Sequence, residues 1–157
     1  MADAGGLFDG VLARGGVRDA VSDRAWLQAM LDVEAALAQA SAQAGLLSEA
    51  DAEEIAAECG AAHYDAAEIG RQAARSGNPA APLVTALTKR VEGPAAGHVH
   101  SGATSQDVVA SAAMLVAHRA LGPLLEDLEG AAAAAARLAR EERGTVLPGR
   151  TLLQQAV

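Results

Sequence analysis

The chain has 157 residues, enough for one domain with its own core; 51% of them are apolar but only 2% are aromatic. A net charge of −8 excludes a nucleic-acid backbone as the main partner, because phosphate binding needs a basic face. It gives no pull toward an anionic membrane surface either, yet it leaves an anionic substrate open, since a local pocket can be positive on an acidic protein.

Alanine supplies much of the apolar content and favours closely packed helices over a sheet. Cys59 is the one cysteine, so no disulfide can close within the chain. Its place in the pattern Ile55, Ala56, Cys59 reads as a small core residue rather than a nucleophile. The N-terminus lacks a basic stretch followed by an apolar run, and no uncharged stretch reaches the roughly 18 residues a bilayer span needs. The expected location is the cytoplasm, with no membrane contact.

In chain order, residues 1–21 are glycine-rich and read as irregular. Ser22 reads as an N-cap, and Trp26, Met30, Val33, Leu37, Ala40 and Ala44 form one apolar stripe ending at Gly45. Ser48 to Asp51 reads as a capping box opening a second helix to about Glu58. A third helix is expected from near Asp65 to about Arg75, broken by Ser76-Gly77-Asn78-Pro79. A fourth uses Leu83, Val84, Leu87 and Val91, and Glu92 to Gly102 reads as a loop. Thr104-Ser105-Gln106-Asp107 caps the longest element, a helix to about Arg143 that Pro123 bends or interrupts. Its expected buried face is Val109, Ala112, Val116, Leu121, Leu124, Leu128, Ala131, Ala135 and Leu138.

No strand pattern and no internal repeat is evident. The expected fold is all-α: an N-terminal helical domain over 1–103, then the start of a central helical bundle over 104–157. The four earlier helices are too short to cover so long an apolar face, which points to self-association or to further helices.

The densest polar cluster runs from His98 to Asp107. It opens the long helix, where free N–H groups and the hydroxyls of Thr104 and Ser105 can cradle a carboxylate or phosphate. The plainer reading is that Thr104 or Ser105 caps the helix and the histidines lie on a surface loop. His98 and His100 lack a third ligand at useful spacing, so no metal is expected. Ser105, His100 and Asp107 could be written as a triad, but nothing resembles a nucleophile elbow. There is no phosphate-binding glycine loop. The closing segment Gly149 to Gln155 reads as a turn leading into a helix, with Arg150 able to pair with a carboxylate.

Four blocks carry a resemblance. His100-Ser101-Gly102-Ala103-Thr104-Ser105-Gln106-Asp107 matches H-x-G-x-T-S-x-D, and Gly149-Arg150-Thr151 followed by Gln154 matches G-R-T-x-x-Q. The helix Ser22 to Leu37 and the segment Gly77-Asn78-Pro79 with Pro82-Leu83-Val84 are similar to the same group. Over about residues 20–157 the chain thus resembles the fumarase/aspartase superfamily, in its adenylosuccinate lyase and carboxymuconate cycloisomerase branch. There are departures. Leu152 stands where many of these lyases carry a histidine, Tyr64 stands where adenylosuccinate lyases carry one, and Gln155 stands where some cycloisomerases do. The first two favour the cycloisomerase; the third leaves the proton donor open.

The resemblance implies lactone closure of 3-carboxy-cis,cis-muconate in aromatic (protocatechuate, β-ketoadipate) catabolism. The alternatives are an adenylosuccinate lyase-like carbon–nitrogen lyase or a non-catalytic helical assembly domain. It further implies no cofactor, a polycarboxylate substrate, and a homotetramer whose sites combine segments of three subunits. By the same likeness Thr104, Ser105 and Gln106 bind a carboxylate, His100 and Ser105 take part in catalysis, and Arg150, Thr151 and Gln154 orient other carboxylates. The family's mobile G-S-S-x-M-P-x-K-x-N loop does not occur in these 157 residues, so the chain by itself is expected to be inactive.

Overall fold

A computed structural model describes residue 11, residues 14–146, and the backbone of 149–151 and 154–156. The described chain is helical apart from one short hairpin, as expected of an all-α protein.

The first helix whose bounds lie within the described residues, α1 (Gly15–Ala20), corrects the expectation of an irregular segment. Two glycines at its start give it poor intrinsic propensity. It forms because it packs on the long helix, and tertiary contact outweighs propensity in so short an element. Gly16 makes the approach possible: a Cβ there would lie 2.9 Å from the Cβ of Pro123.

α2 (Asp23–Gln43) starts at Ser22, whose hydroxyl accepts from the Ala25 amide at 3.2 Å. It ends at Gly45 (φ 73°), where Gly45 and Leu46 donate to the carbonyls of Ala42 and Ser41, a two-bond C-terminal cap. Its buried face is Leu27, Met30, Leu31, Glu34 and Ala38. The expected stripe is therefore rotated. Trp26, Val33 and Leu37 are only half-buried, and Ala40 and Ala44 are exposed. Glu34, a carboxylate outside the expected stripe, occupies a core position instead.

α3 (Glu49–Ala57) is capped by Ser48, and α4 (Ala66–Ser76) by Asp65, which accepts from the amides of Ala67 and Glu68. Gly77 (φ 77°) closes α4. α5 (Ala80–Arg90) is entered through Asn78, whose side chain accepts from the Ala80 and Ala81 amides. Gln28 of α2 holds the chain after α3, donating to the Cys59 carbonyl at 3.0 Å and accepting from the Ala61 amide at 2.8 Å. The expected loop from Glu92 contains a 3-10 helix over Gly93–His98.

α6 (Ser105–Glu141, 37 residues) is one helix that continues through Pro123. Its first turns pack on α2, with Val108, Ala112 and Val116 buried, and Arg119 pairs with Asp32 of α2 at 2.6 Å. Beyond that the expected burial does not occur: Leu121, Leu124, Leu128 and Leu138 are exposed. α1 meets this half at Pro123 and leaves these leucines exposed. By length and composition alone α6 could cross a membrane, although its N-terminal part is a packed core helix here.

The segment Gly149–Gln155 is also corrected. Gly149–Thr151 (β1) and Gln154–Ala156 (β2) pair antiparallel, with Arg150 opposite Gln155 and Thr151 opposite Gln154. A stretch this short has no periodicity that separates strand from helix.

Candidate functional site

The site is built where the chain leaves the 3-10 helix, turns, and enters α6. Thr104 is extended and caps α6 in a reciprocal box. Its amide and hydroxyl both donate to Asp107 Oδ2, at 2.9 and 3.0 Å, and its hydroxyl accepts from the Asp107 amide. These two bonds hold the Asp107 carboxyl below the usual carboxylate range. Thr104 therefore spends its hydroxyl proton inside the cap.

Ser105 is the first residue of α6 and is half-buried; its hydroxyl has no hydrogen-bond partner among the described residues. Gln106 is exposed beside it. The free donors at this helix start are the Ser105 hydroxyl and the amides of Ser105 and Gln106, in the partial positive charge of the helix N-terminus; the Asp107 amide is taken by Thr104.

His100 reaches the same turn from the other side. Its φ of +59° is the one positive value at a non-glycine residue among the described residues. A side chain in the left-handed region is strained by roughly 1–3 kcal/mol unless its surroundings hold it. What holds it is Glu34: His100 Nδ1 lies 2.7 Å from Glu34 Oε1. The Glu34 side chain is 1% exposed and that of His100 17%. Glu34 Oε2 is buried with no partner among the described residues. Burial pushes the Glu34 carboxyl up, and only the hydrogen bond and charge of His100 act against it. With Nδ1 taken by Glu34, Nε2 is the imidazole nitrogen left for a substrate.

Sequence reasoning missed Glu34. The available signal was its place four residues after Met30 and three after Leu31, on the apolar face of α2.

Of the expected site residues, His100, Thr104, Ser105 and Gln106 fall within one turn of chain at the head of α6. Arg150, Thr151 and Gln154 lie on the hairpin, and their side chains are outside the described residues. His98 is half-buried, and Cys59 is a core residue as expected, its thiol pushed up to about 12, first by burial and then by the negative charges of Glu34, Asp32 and Glu58. Tyr64 stands apart from this turn, donating to the Glu58 carbonyl at 2.8 Å beneath the Arg90 guanidinium.

A profile of the family described as lyase matches residues 13–157. The chain belongs to the fumarase/aspartase lyase superfamily. Among the relatives of this lyase-family chain is a 3-carboxy-cis,cis-muconate cycloisomerase of Bradyrhizobium diazoefficiens, 45% identical over 154 residues, which are 96% of this chain and 34% of that protein. A nitrosuccinate lyase of Streptomyces davaonensis is 43% identical over 155 residues, 97% of this chain and 33% of that protein. In three dimensions the chain is similar to the 3-carboxy-cis,cis-muconate lactonizing enzyme of Pseudomonas putida, with a TM-score of 0.86 at 40% identity, over 96% of this chain and 35% of that one. The lyase-family chain thus spans about a third of the length of these relatives.

Proposed function

We propose that the whole protein carrying this chain is a cycloisomerase that lactonises 3-carboxy-cis,cis-muconate in aromatic catabolism. The observation that carries the reading is the 45% identity to the Bradyrhizobium cycloisomerase across nearly all of the chain. The reaction is an isomerisation. One carboxylate oxygen bonds to a carbon of a C=C bond, the π pair moves to the neighbouring carbon, and that carbon takes one proton. No net electrons are exchanged, so no redox partner is called for.

Charge that develops on a substrate carboxylate needs donors already aimed at it. The Ser105 hydroxyl and the amides of Ser105 and Gln106 at the head of α6 have that character. His100 exchanges a proton through Nε2. Arg150, Thr151 and Gln154 orient the remaining carboxylates, with Arg150 able to bind one bidentately. Thr104 acts through the cap, holding Ser105 in place. In this reading residues 1–103 form the N-terminal domain and 104–157 begin a central bundle of a cytoplasmic homotetramer. The chain alone, without the G-S-S-x-M-P segment, is inactive.

A second reading, a carbon–nitrogen lyase, is favoured by the 43% identity to nitrosuccinate lyase. Supplying the whole protein with 3-carboxymuconate, nitrosuccinate and adenylosuccinate in parallel separates the two. Loss of the diene absorbance with lactone formation supports the cycloisomerase. Turnover of an amino- or nitro-succinate alone overturns it.

A further inference from the structure

We propose that Glu34 is the positioning residue for His100, fixing the imidazole in the tautomer and orientation that present Nε2 to the substrate. The inference deepens the proposed function and rests on His100 meeting the substrate there. Three observations converge on it. The Nδ1–Oε1 contact is 2.7 Å, a charge-assisted distance. It joins the middle of α2 to a turn 66 residues away in sequence. And the turn places His100 at φ +59°, which a β-carbon residue adopts only when something holds it.

The chemistry follows from the donor inventory. Nδ1–H donates to the carboxylate, so in the neutral imidazole Nε2 carries a lone pair and can accept a proton. When Nε2 is protonated, the buried carboxylate stabilises the imidazolium. One proton stays on Nδ1, held against the buried carboxylate, and a second is taken up or given at Nε2. A plain structural strap would need no charge: a neutral hydrogen-bonded pair at this place would avoid the cost of desolvating Glu34. Glu34 Oε2, buried and unpartnered among the described residues, is the mark of that cost.

Other charged groups face the pair. Asp107 acts on His100 from the head of α6, and Cys59, after α3, lies close enough to Glu34, Asp32 and Glu58 to feel their charges. His98 precedes His100 on the same turn. The test must therefore separate Glu34 from Asp107.

Nitrogen-15 NMR of the histidine-labelled chain reads the tautomer of His100 directly. Neutral His100 is expected as the Nδ1–H form. In Glu34→Gln, whose amide can either accept from Nδ1 or donate to it, the fixed tautomer is expected to give way to a mixture of both forms, whereas Asp107→Asn leaves it in place. An Nε2–H tautomer in the wild-type chain, or an unchanged tautomer signature in Glu34→Gln, overturns the proposal. In the whole protein, Glu34→Gln is expected to lower kcat about 10–100-fold with KM little changed. Glu34→Asp, which keeps the carboxylate, is expected to retain more of that rate than Glu34→Gln. A rise in KM alone, with kcat unchanged, also overturns it. If the NMR outcome holds and the wild-type protein leaves 3-carboxymuconate untouched, the positioning role stands and the proposed substrate falls.

Discussion

Gly16 of α1 lies against the Pro123 ring of α6: a Cβ added at Gly16 would stand 2.9 Å from the Pro123 Cβ. The proline ring is rigid and cannot swing aside. Gly16→Ala is therefore expected to push α1 off α6, even though alanine is the better helix former. The expected loss is about 1–3 kcal/mol, the range for overpacking. Chemical denaturation checks this; a Gly16→Ala chain more stable than wild type would mean that propensity outweighs the contact.

His100→Ala removes the one described partner of a buried carboxylate. The expected cost is about 3–5 kcal/mol, as for one half of a buried pair. Adding Glu34→Leu should recover most of that loss, because the orphaned charge is gone. Denaturant midpoints of the single and double variants decide the point. A double variant no more stable than His100→Ala would show that the carboxylate carries little penalty.

The Glu34 carboxyl is raised above 4.5 in the folded chain, chiefly by burial. The folded state thus holds a proton that the unfolded state releases earlier, and stability falls as pH rises. The contribution is fully present below 4.5 and is lost through the raised value. In Glu34→Gln this segment of the pH dependence is expected to vanish, so the stability difference moves in the variant's favour as pH climbs. Parallel slopes for both proteins across that window would refute the burial argument.

How much was legible in the sequence divides along one line. Local chemistry was legible. The caps at Ser22, Ser48 and Thr104 depend on a hydroxyl a few residues from an amide, and all three occur. Long-range compensation was not. The phase of α2 was misjudged because Glu34 is tolerable in the core only through His100, and no local rule connects the two. α1 was missed because its glycines disfavour a helix until Pro123 is beside them. The turn from His100 to Asp107 was identified by residue type, but its division of labour was not: only coordinates show Thr104 committed to Asp107 and Ser105 uncommitted.

Leu124 and Leu128 are one helical turn apart on α6 and are 41% and 56% exposed. With Leu121, Leu125 and Leu138 they form an apolar face that water solvates poorly. The chain is expected to self-associate through it, and Leu124→Glu with Leu128→Glu to return it to a monomer. Sedimentation equilibrium reads this. A well-folded wild-type monomer at high concentration would remove the face from consideration as an interface.

The last prediction separates Thr104 from Ser105. Thr104 caps α6 and gives its hydroxyl proton to Asp107. Thr104→Ala is therefore expected to lower stability by about 0.5–2 kcal/mol, the range for a lost N-cap. The Ser105 hydroxyl caps nothing among the described residues. Ser105→Ala is expected to stay within about 0.5 kcal/mol of wild type, as for a substitution that breaks no cap or core contact. In the whole protein the order reverses. Losing a preorganised donor to developing charge lowers the rate about 10²–10³-fold, so Ser105→Ala should nearly silence turnover of 3-carboxymuconate. Thr104→Ala should keep more of it at a temperature where the protein is folded. The crossing of the two effects is the diagnostic, since a shared structural role would lower both quantities together in both variants. A Ser105→Ala enzyme that keeps more than about a third of wild-type turnover lies far outside the donor-loss range and would take Ser105 out of the site.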